Sequence, residues 1–185
     1  MALINIPTSG VWASIASALN SNFSGIDGRT GYATYTDTQY TIGSPLVVAQ
    51  GTTVDLANNA GVSLSDQLPT GVTTLYDGLR LVSNDNRAAY VIRINFTVAN
   101  SSQTGSFELN FDISAAGDGS IPILSRTTAL ARGANTPQPV SYTELYFSRE
   151  TFVDNGALLK FTAISGTSSI YGISYVISKI HKGRV

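Results

Sequence analysis

The hydrophobic pattern of this 185-residue chain changes after the first thirty residues. Within residues 8–27 the apolar positions recur at steps of three and four, which places them on one face of a helix. Pro7 supplies a start signal for this helix and Gly28 a stop signal. The apolar positions are Trp12, Ile15, Leu19, Phe23 and Ile26. They are predicted to form an anchoring or oligomer-contact face.

Two later runs, residues 90–98 and 107–113, alternate strictly between apolar and polar residues. Such alternation predicts strands with one buried and one wet face. The segment between the runs consists of turn-forming residues, so they are predicted to pair as an antiparallel hairpin. Arg93 would then face Glu108 or Asp112 across the ladder.

Seven further strand candidates follow the same spacing and are separated by turns rich in Gly, Asn, Asp and Pro. They are residues 32–42, 46–56, 79–83, 121–130, 140–148, 158–164 and 170–180. About eight to ten short strands without an internal repeat predict an all-β, antiparallel jelly-roll sandwich. The chain is therefore divided into an N-terminal arm with the anchoring helix, residues 1–30, and a jelly-roll domain, residues 31–185. No helix is expected in the second part, since Lys and Glu are scarce there.

The last strand candidate is apolar on both faces, so its second face needs cover. Either the second sheet and a loop of the same chain supply that cover, or a neighbouring copy does. The candidates for a trimer-facing side are Tyr171, Ile173, Tyr175 and Ile177.

Composition narrows the classes of partner. Charged residues make up 12% of the chain, against roughly 25% in typical globular proteins. This scarcity favours a neutral polar surface or extensive burial against partners. The formal net charge is −1, so the chain has no positive electrostatic potential that would attract nucleic acid. No apolar run reaches the roughly 18 residues of a membrane span. Neither nucleic acid nor a membrane is an expected partner.

The sequence offers little for catalysis or metal binding. It contains no cysteine and one histidine, His181, and it lacks the usual nucleophile, phosphate and metal motifs. We interpret the clustered acidic residues Glu144, Glu150 and Asp154 as part of a solvated surface, not as a catalytic pair. No catalytic residue, metal or cofactor is therefore predicted. The first ten residues lack a secretion signal, which suits synthesis in a host cytoplasm.

Glycan binding is a second possibility, because loops of jelly rolls commonly carry lectin sites. An exposed aromatic ring would stack on a sugar while amide and carboxylate groups hold its hydroxyls. Ordinary turn chemistry explains the same residues equally simply. The candidates are Tyr76, Asp77, Asn84, Asp85, Asn86 and Arg87.

Two resemblances indicate an assembly. The final run SSIYGISYVISKI and the opening YATYTDTQYTIGSPLVV resemble the trimeric jelly rolls of the tumour-necrosis-factor and complement-globular-head type. The segment ASALNSNFSGID is similar to one near the start of small tailed-bacteriophage virion proteins, with the element on Leu19, Asn20, Asn22 and Phe23. Together they imply a homotrimeric capsid decoration or cement protein on the phage particle, anchored to the major capsid protein or another virion protein. The alternative is a fibre or receptor-binding tip that contacts a host surface glycan.

The helix spacing is compatible with a trimer. Trp12, Leu19 and Ile26 are seven residues apart, and Ile15 falls at a d-like position between the first two. A helix of this length associates only with support from other contacts. Three-fold packing, docking on another virion protein and folding against the chain's own β domain all remain open.

Overall fold

The computed structural model describes residues 14, 15, 17, 19, 29–83 and 85–181. Residues 14, 15, 17 and 19 are helical. The other described ranges form eleven strands and a short helix. These are β1 (Gly31–Thr36), β2 (Leu46–Val48), β3 (Thr53–Asp55), β4 (Val62–Leu64), β5 (Arg80–Leu81), β6 (Ala89–Asn100), β7 (Ser106–Asp112), β8 (Pro122–Ala129), β9 (Gln138–Phe147), α1 (Glu150–Asn155), β10 (Ala157–Ser165) and β11 (Ser168–His181).

The strands form two antiparallel sheets. Sheet I has the order β4-β1-β11-β6-β9, with β2 also paired to β11. Sheet II has the order β3-β10-β7-β8, with β5 also paired to β10. Along β6, β7, β10 and β11, buried inward-facing residues alternate with partly exposed outward-facing ones, and the buried apolar side chains share one hydrophobic core. The predicted jelly-roll sandwich is confirmed.

The predicted hairpin between the two alternating runs is wrong. β6 pairs with β9 and β11 in sheet I, while β7 pairs with β8 and β10 in sheet II. Phe96 and Phe107 meet across the core with ring centroids 5.8 Å apart, and Arg93 lies on the opposite side of the sandwich from Glu108. Alternation specifies one apolar face per strand, and two such faces can be satisfied by packing across a sandwich as well as by pairing.

Asn100 fixes the arch that carries the chain from sheet I to sheet II. Its Nδ2 donates to the carbonyl of Ser165 (2.8 Å) and to Ser168 Oγ (3.0 Å). Its Oδ1 accepts from the backbone N–H of Ser102 (2.8 Å). The turn after β6 is thereby tied to the β10–β11 connection, so the next strand starts in the other sheet.

Other elements also differ from the prediction: the strand expected over residues 32–42 ends at Thr36, and β4 was not predicted. The single strand expected over residues 46–56 is divided between the sheets, with β2 in sheet I and β3 in sheet II. The expectation of no further helix is wrong, because α1 follows β9. Phe152 of α1 is buried 5.2 Å from the Tyr146 ring and 6.3 Å from the Tyr90 ring. Core packing therefore supports a six-residue helix that would be marginal alone.

Three tyrosines, Tyr35, Tyr76 and Tyr175, pack together in the core. The Tyr76 ring lies 5.4 Å from that of Tyr35 and 5.1 Å from that of Tyr175. Each hydroxyl bonds the backbone of a segment that crosses between the sheets: the Tyr35 hydroxyl accepts from Leu75 N (2.8 Å), that of Tyr76 accepts from Asn58 N (2.9 Å), and that of Tyr175 donates to the Leu56 carbonyl. Burial raises the pKa of Tyr76 and of Tyr175 well above the usual value, so both remain protonated.

We predict that Tyr76→Phe lowers the free energy of unfolding by about 1–3 kcal/mol, because the buried N–H of Asn58 loses its acceptor. Urea denaturation measures this difference. Tyr32→Phe is the matched control, since Tyr32 is 48% exposed, and its effect should stay within about 0.5 kcal/mol. Equal effects for the two variants would contradict the assigned role of the Tyr76 hydroxyl.

Asp112 organises the loop between β7 and β8 as a buried carboxylate. It accepts hydrogen bonds from Ser114 N (3.0 Å), Ser114 Oγ (2.8 Å), Gly119 N (2.8 Å) and Ile121 N (3.4 Å). Burial alone would raise the pKa of Asp112, but these hydrogen bonds outweigh burial and lower the pKa below its usual value.

We predict that Asp112→Asn reduces stability at neutral pH by about 1.5–3 kcal/mol, the range for hydrogen bonds to a charged group. The folded-state pKa is depressed, so the stabilisation is present above the unfolded value of about 3.9 and is lost as pH falls through the folded value. Urea titrations from neutral pH to about pH 3 should show the gap between wild type and variant closing. Asp66→Asn, at an exposed position, controls for charge loss; a gap independent of pH would exclude this account.

Candidate interaction surface

The outer face of sheet II has the polar, charged character of a solvated surface. Lys160 forms an ion pair with Asp55, with Nζ 2.8 Å from Oδ1. Thr53 and Thr162 share a hydrogen bond of 2.8 Å between their hydroxyls. These polar groups find partners within the chain, whereas Asn110 Oδ1, opposite Lys160 in the register, is buried without a hydrogen-bond partner in the described part of the chain.

The outer face of sheet I is different and carries exposed apolar side chains. In the register, Tyr32 lies opposite Ser178, which lies opposite Val91, which lies opposite Leu145, so one row crosses four strands. We call this surface the apolar face. Its exposed apolar residues include Tyr32, Val47, Val62, Leu64, Leu145 and Ile180, each 48–63% exposed.

Charge is scarce on the apolar face. Of the Asp, Glu, Lys and Arg residues in the described strands of sheet I, Glu144 lies on the inner side at the sandwich edge and Lys179 is 3% exposed in the interior. Arg93, near the middle of β6, is the one that projects outward. A face of this kind favours contact with another protein surface.

A second distinct surface lies where the sandwich ends at β8 and β9. Arg126 of β8 pairs with Glu144 of β9, with Nε 2.5 Å from Oε1. Beyond this bridge the two edge strands surround an apolar cavity of about 90 Å³, which we call the edge cavity. Its lining includes Ile123, Tyr146 and Phe152.

A cleft of about 610 Å³ lies where β9 leads into α1, and we call it the β9–α1 cleft. One wall is a loop that is hydrogen-bonded to the end of β9. Arg87 N donates to the Ser148 carbonyl (2.7 Å), and Ser148 N donates to the Ala88 carbonyl (2.8 Å). Ala88 N also donates to Ser148 Oγ (3.0 Å). The cleft is lined by Asn86, Arg87, Phe147, Ser148, Arg149, Glu150 and Thr151.

The predicted N-terminal contact residues are only partly described. Ile15 and Leu19 lie in helical residues and are 46% and 39% exposed. Trp12, Phe23 and Ile26 lie outside the described residues. The anchoring role of this set stays a prediction.

The assignment of Ile173, Tyr175 and Ile177 to a neighbour-facing side is corrected. These side chains are 0–2% exposed and lie in the chain's own core. The register of β11 shifts between Tyr171 and Ser174 at Gly172, whose φ of 65° permits the bulge. Tyr171 is half-buried and lies before the shift, so the four residues do not share one face. Contact of the outward side of β11 with another copy stays a prediction.

Two of the predicted glycan candidates have structural roles. Tyr76 is 3% exposed in the tyrosine cluster, so it cannot stack on a sugar, and that assignment is corrected. Asp77 is exposed and holds a turn, since its Oδ1 accepts from Leu79 N (2.9 Å) and Arg80 N (2.6 Å). Sequence alternation did not reveal the burial of Tyr76, because the residue lies in a crossing segment rather than in a strand.

The loop candidates are placed differently. Asn84 lies outside the described residues, and Asp85 forms an ion pair with the buried Lys179. Asn86 and Arg87 line the β9–α1 cleft. Sequence reasoning did not identify Phe147 and Arg149 as cleft residues. The available signal for them was a bulky apolar side chain at the end of a predicted strand, with an arginine two residues later.

The acidic side chains of the described ranges do not form a metal-binding cluster. Within residues 29–83 and 85–181, and the described helical positions before them, no group of three or more His, Cys, Asp or Glu side chains is placed to hold a metal ion. Glu144 is engaged by Arg126, and Glu150 and Asp154 are exposed on α1. The same part of the chain contains no helix with the length and apolar character needed to cross a membrane.

No protein-family model and no curated protein sequence matches the chain. Among solved structures, the zebrafish complement 1qA globular domain matches at 12% identity, with a TM-score of 0.43, covering 84% of this chain and 99% of that chain. The PRD1 vertex protein P5 matches at 13% identity, with a TM-score of 0.48, covering 82% and 73%. The Eiger TNF protein from S. frugiperda matches at 12% identity, with a TM-score of 0.52, covering 84% and 94%. The chain therefore shares the jelly-roll fold of the Eiger TNF structure.

Proposed function

We propose that this protein is a non-enzymatic structural component of a tailed-phage virion, a homotrimeric decoration or cement protein on the capsid surface. Residues 1–30 form the attachment arm, and residues 31–185 form the jelly-roll cap. Its partners are two further copies of itself and the major capsid protein or another virion protein. The proposal involves no cofactor.

The observation that carries the proposal is the contrast between the two outer faces. Sheet II pairs Lys160 with Asp55, whereas the apolar face exposes large side chains around a single arginine, Arg93. Exposed apolar patches of this kind mark protein interfaces. With charged residues at 12% of the chain, burial against partners explains the composition as well.

The arrangement of surfaces favours a ring over a two-fold dimer. β4, with Val62 and Leu64, lies at one margin of sheet I, and β9 lies at the other. The β8–β9 edge beside it carries the edge cavity, so a contact between the β4 side of one copy and this edge of the next joins two different surfaces. Such head-to-tail contacts form a closed ring when the rotation between successive copies closes, and the resemblance noted in the sequence implies three copies.

The attachment role of the N-terminal arm rests on its sequence and on the exposure of its helical residues. The apolar side chains of Ile15 and Leu19 are 46% and 39% exposed. The Leu19–Phe23 element is similar to the segment that precedes decoration or fibre domains in small phage virion proteins. An exposed apolar helix face needs a partner surface.

We predict that Leu64→Glu converts the trimer to monomers, because a charge replaces an apolar side chain at the copy–copy contact. Leu64 is 63% exposed within the chain, so the fold itself should change by no more than about 0.5 kcal/mol. Sedimentation equilibrium measures the mass. Ile164→Glu on sheet II, where Ile164 is 40% exposed, is the matched control and should leave the trimer intact; a trimer that survives Leu64→Glu argues against this interface.

We further predict that deletion of residues 1–27 abolishes binding to particles that lack the protein, while strand content by circular dichroism is retained. The truncation ends before β1 at Gly31, so the sandwich keeps its strands. Co-sedimentation with the particles reports attachment. Binding by the truncated protein would show that the β domain carries the anchor.

The alternative location is a fibre or receptor-binding tip, and the β9–α1 cleft is the observation that favours it. Copy number per particle separates the two locations, since decoration requires hundreds of copies and a fibre only a few dozen or fewer. Quantitative gel densitometry of purified particles measures this number.

A further inference from the structure

We propose that the β9–α1 cleft binds an acidic saccharide, a sugar unit that carries a carboxylate. This inference goes beyond the decoration role and does not depend on it, because the cleft is built within a single chain. It differs from the glycan site expected from the sequence, since neither Tyr76 nor Asp77 takes part.

The cleft has the size and the construction of a ligand site. Its volume of about 610 Å³ falls within the roughly 300–1,000 Å³ of small-molecule sites. Its wall is held by the backbone hydrogen bonds between Arg87, Ala88 and Ser148. Arg87 adopts a φ of 60°, a left-handed conformation that non-glycine residues use rarely and that recurs at binding sites.

Two guanidinium groups provide the carboxylate-binding element. Arg87 and Arg149 are both exposed on the cleft. The ion pairs of the described residues engage Arg126, Lys160 and Lys179, which leaves both cleft arginines without an ionic partner in that part of the chain. A guanidinium offers a planar fork of N–H donors that matches a carboxylate.

The remaining lining selects a saccharide over a simple anion. Phe147 is 58% exposed and provides an apolar platform for one face of a sugar ring. Asn86 and Thr151 offer groups that donate and accept hydrogen bonds, and Glu150 offers acceptors. The Glu150 carboxylate also disfavours a compact dianion such as phosphate, whereas sugar hydroxyls can donate to it.

The test measures binding to the full-length protein by isothermal titration. The probes are an oligosialic acid, an oligouronate, neutral dextran of similar length and inorganic phosphate. At least one acidic oligosaccharide should bind, while dextran and phosphate should not.

Variants assign the binding to the cleft. Arg87→Gly removes the guanidinium at a backbone conformation that glycine adopts freely, and Arg149→Gln removes the second one. Each should weaken binding by about tenfold or more, as expected for loss of a hydrogen bond to a charged group. Phe147→Ala should weaken it similarly. Arg132→Gln, an exposed arginine on the loop before β9, carries the same charge loss and should bind as wild type.

Three results would overturn the proposal. The first is failure of the wild-type protein to bind either acidic oligosaccharide. The second is competition by phosphate at equal strength, which would identify a general anion site. The third is equal weakening by Arg132→Gln, which would identify a long-range charge effect. Denaturation midpoints confirm that each variant is folded, and Arg149→Gln keeps the test valid if Arg87→Gly is unstable.

Discussion

The fold depends on satisfying the backbone polar groups of the segments that cross between its two sheets, because these groups are buried in the sandwich. The hydroxyls of Tyr35, Tyr76 and Tyr175 bond three of them. Asn58, which lies in one of these crossing segments, also bonds two strands of sheet I. Its Nδ2 donates to the carbonyls of Tyr35 (2.9 Å) and Ile173 (3.2 Å). Ile173 directly follows the Gly172 bulge, so the same network helps to set which side chains of β11 face the core and which face outward.

Once the inner faces are fixed, the outer faces determine what the molecule can contact. The outer face of sheet II carries the Lys160–Asp55 ion pair. Among the described residues, Arg93 on the apolar face has no ion pair, and the polar contacts beside it are the hydrogen bonds that Asn95 makes with Ser174 and Ser141. The β8–β9 edge, with its Arg126–Glu144 bridge and edge cavity, is a different kind of surface. One molecule therefore carries two unlike, separate surfaces, as the head-to-tail contact of the proposed ring requires.

Local sequence patterns predicted the strands and the fold class but not the partners of each strand. The alternation in β6 and β7 is equally compatible with a hairpin and with an arch, and it does not reveal the contacts of Asn100 with the β10–β11 connection that accompany the arch. The faces of β11 were misassigned because a one-residue bulge at Gly172 reverses which of the later side chains face the core.

The helix α1 was missed because it is supported by the burial of Phe152 and not by helix propensity. In the cleft, Arg87 could be proposed from sequence, but Arg149 is brought beside it only by the tertiary fold.

In the proposed ring of three, the β4 side of the apolar face of one copy meets the β8–β9 edge of the next. The chain contains no cysteine, so Leu64→Cys combined with Ile123→Cys can be oxidised and analysed on a non-reducing gel. We expect bands of one, two and three linked chains and none larger, and no linkage when Leu64→Cys is combined with Thr162→Cys on sheet II. Unlinked chains for the first pair, or linkage of the second pair to the same extent, would contradict it.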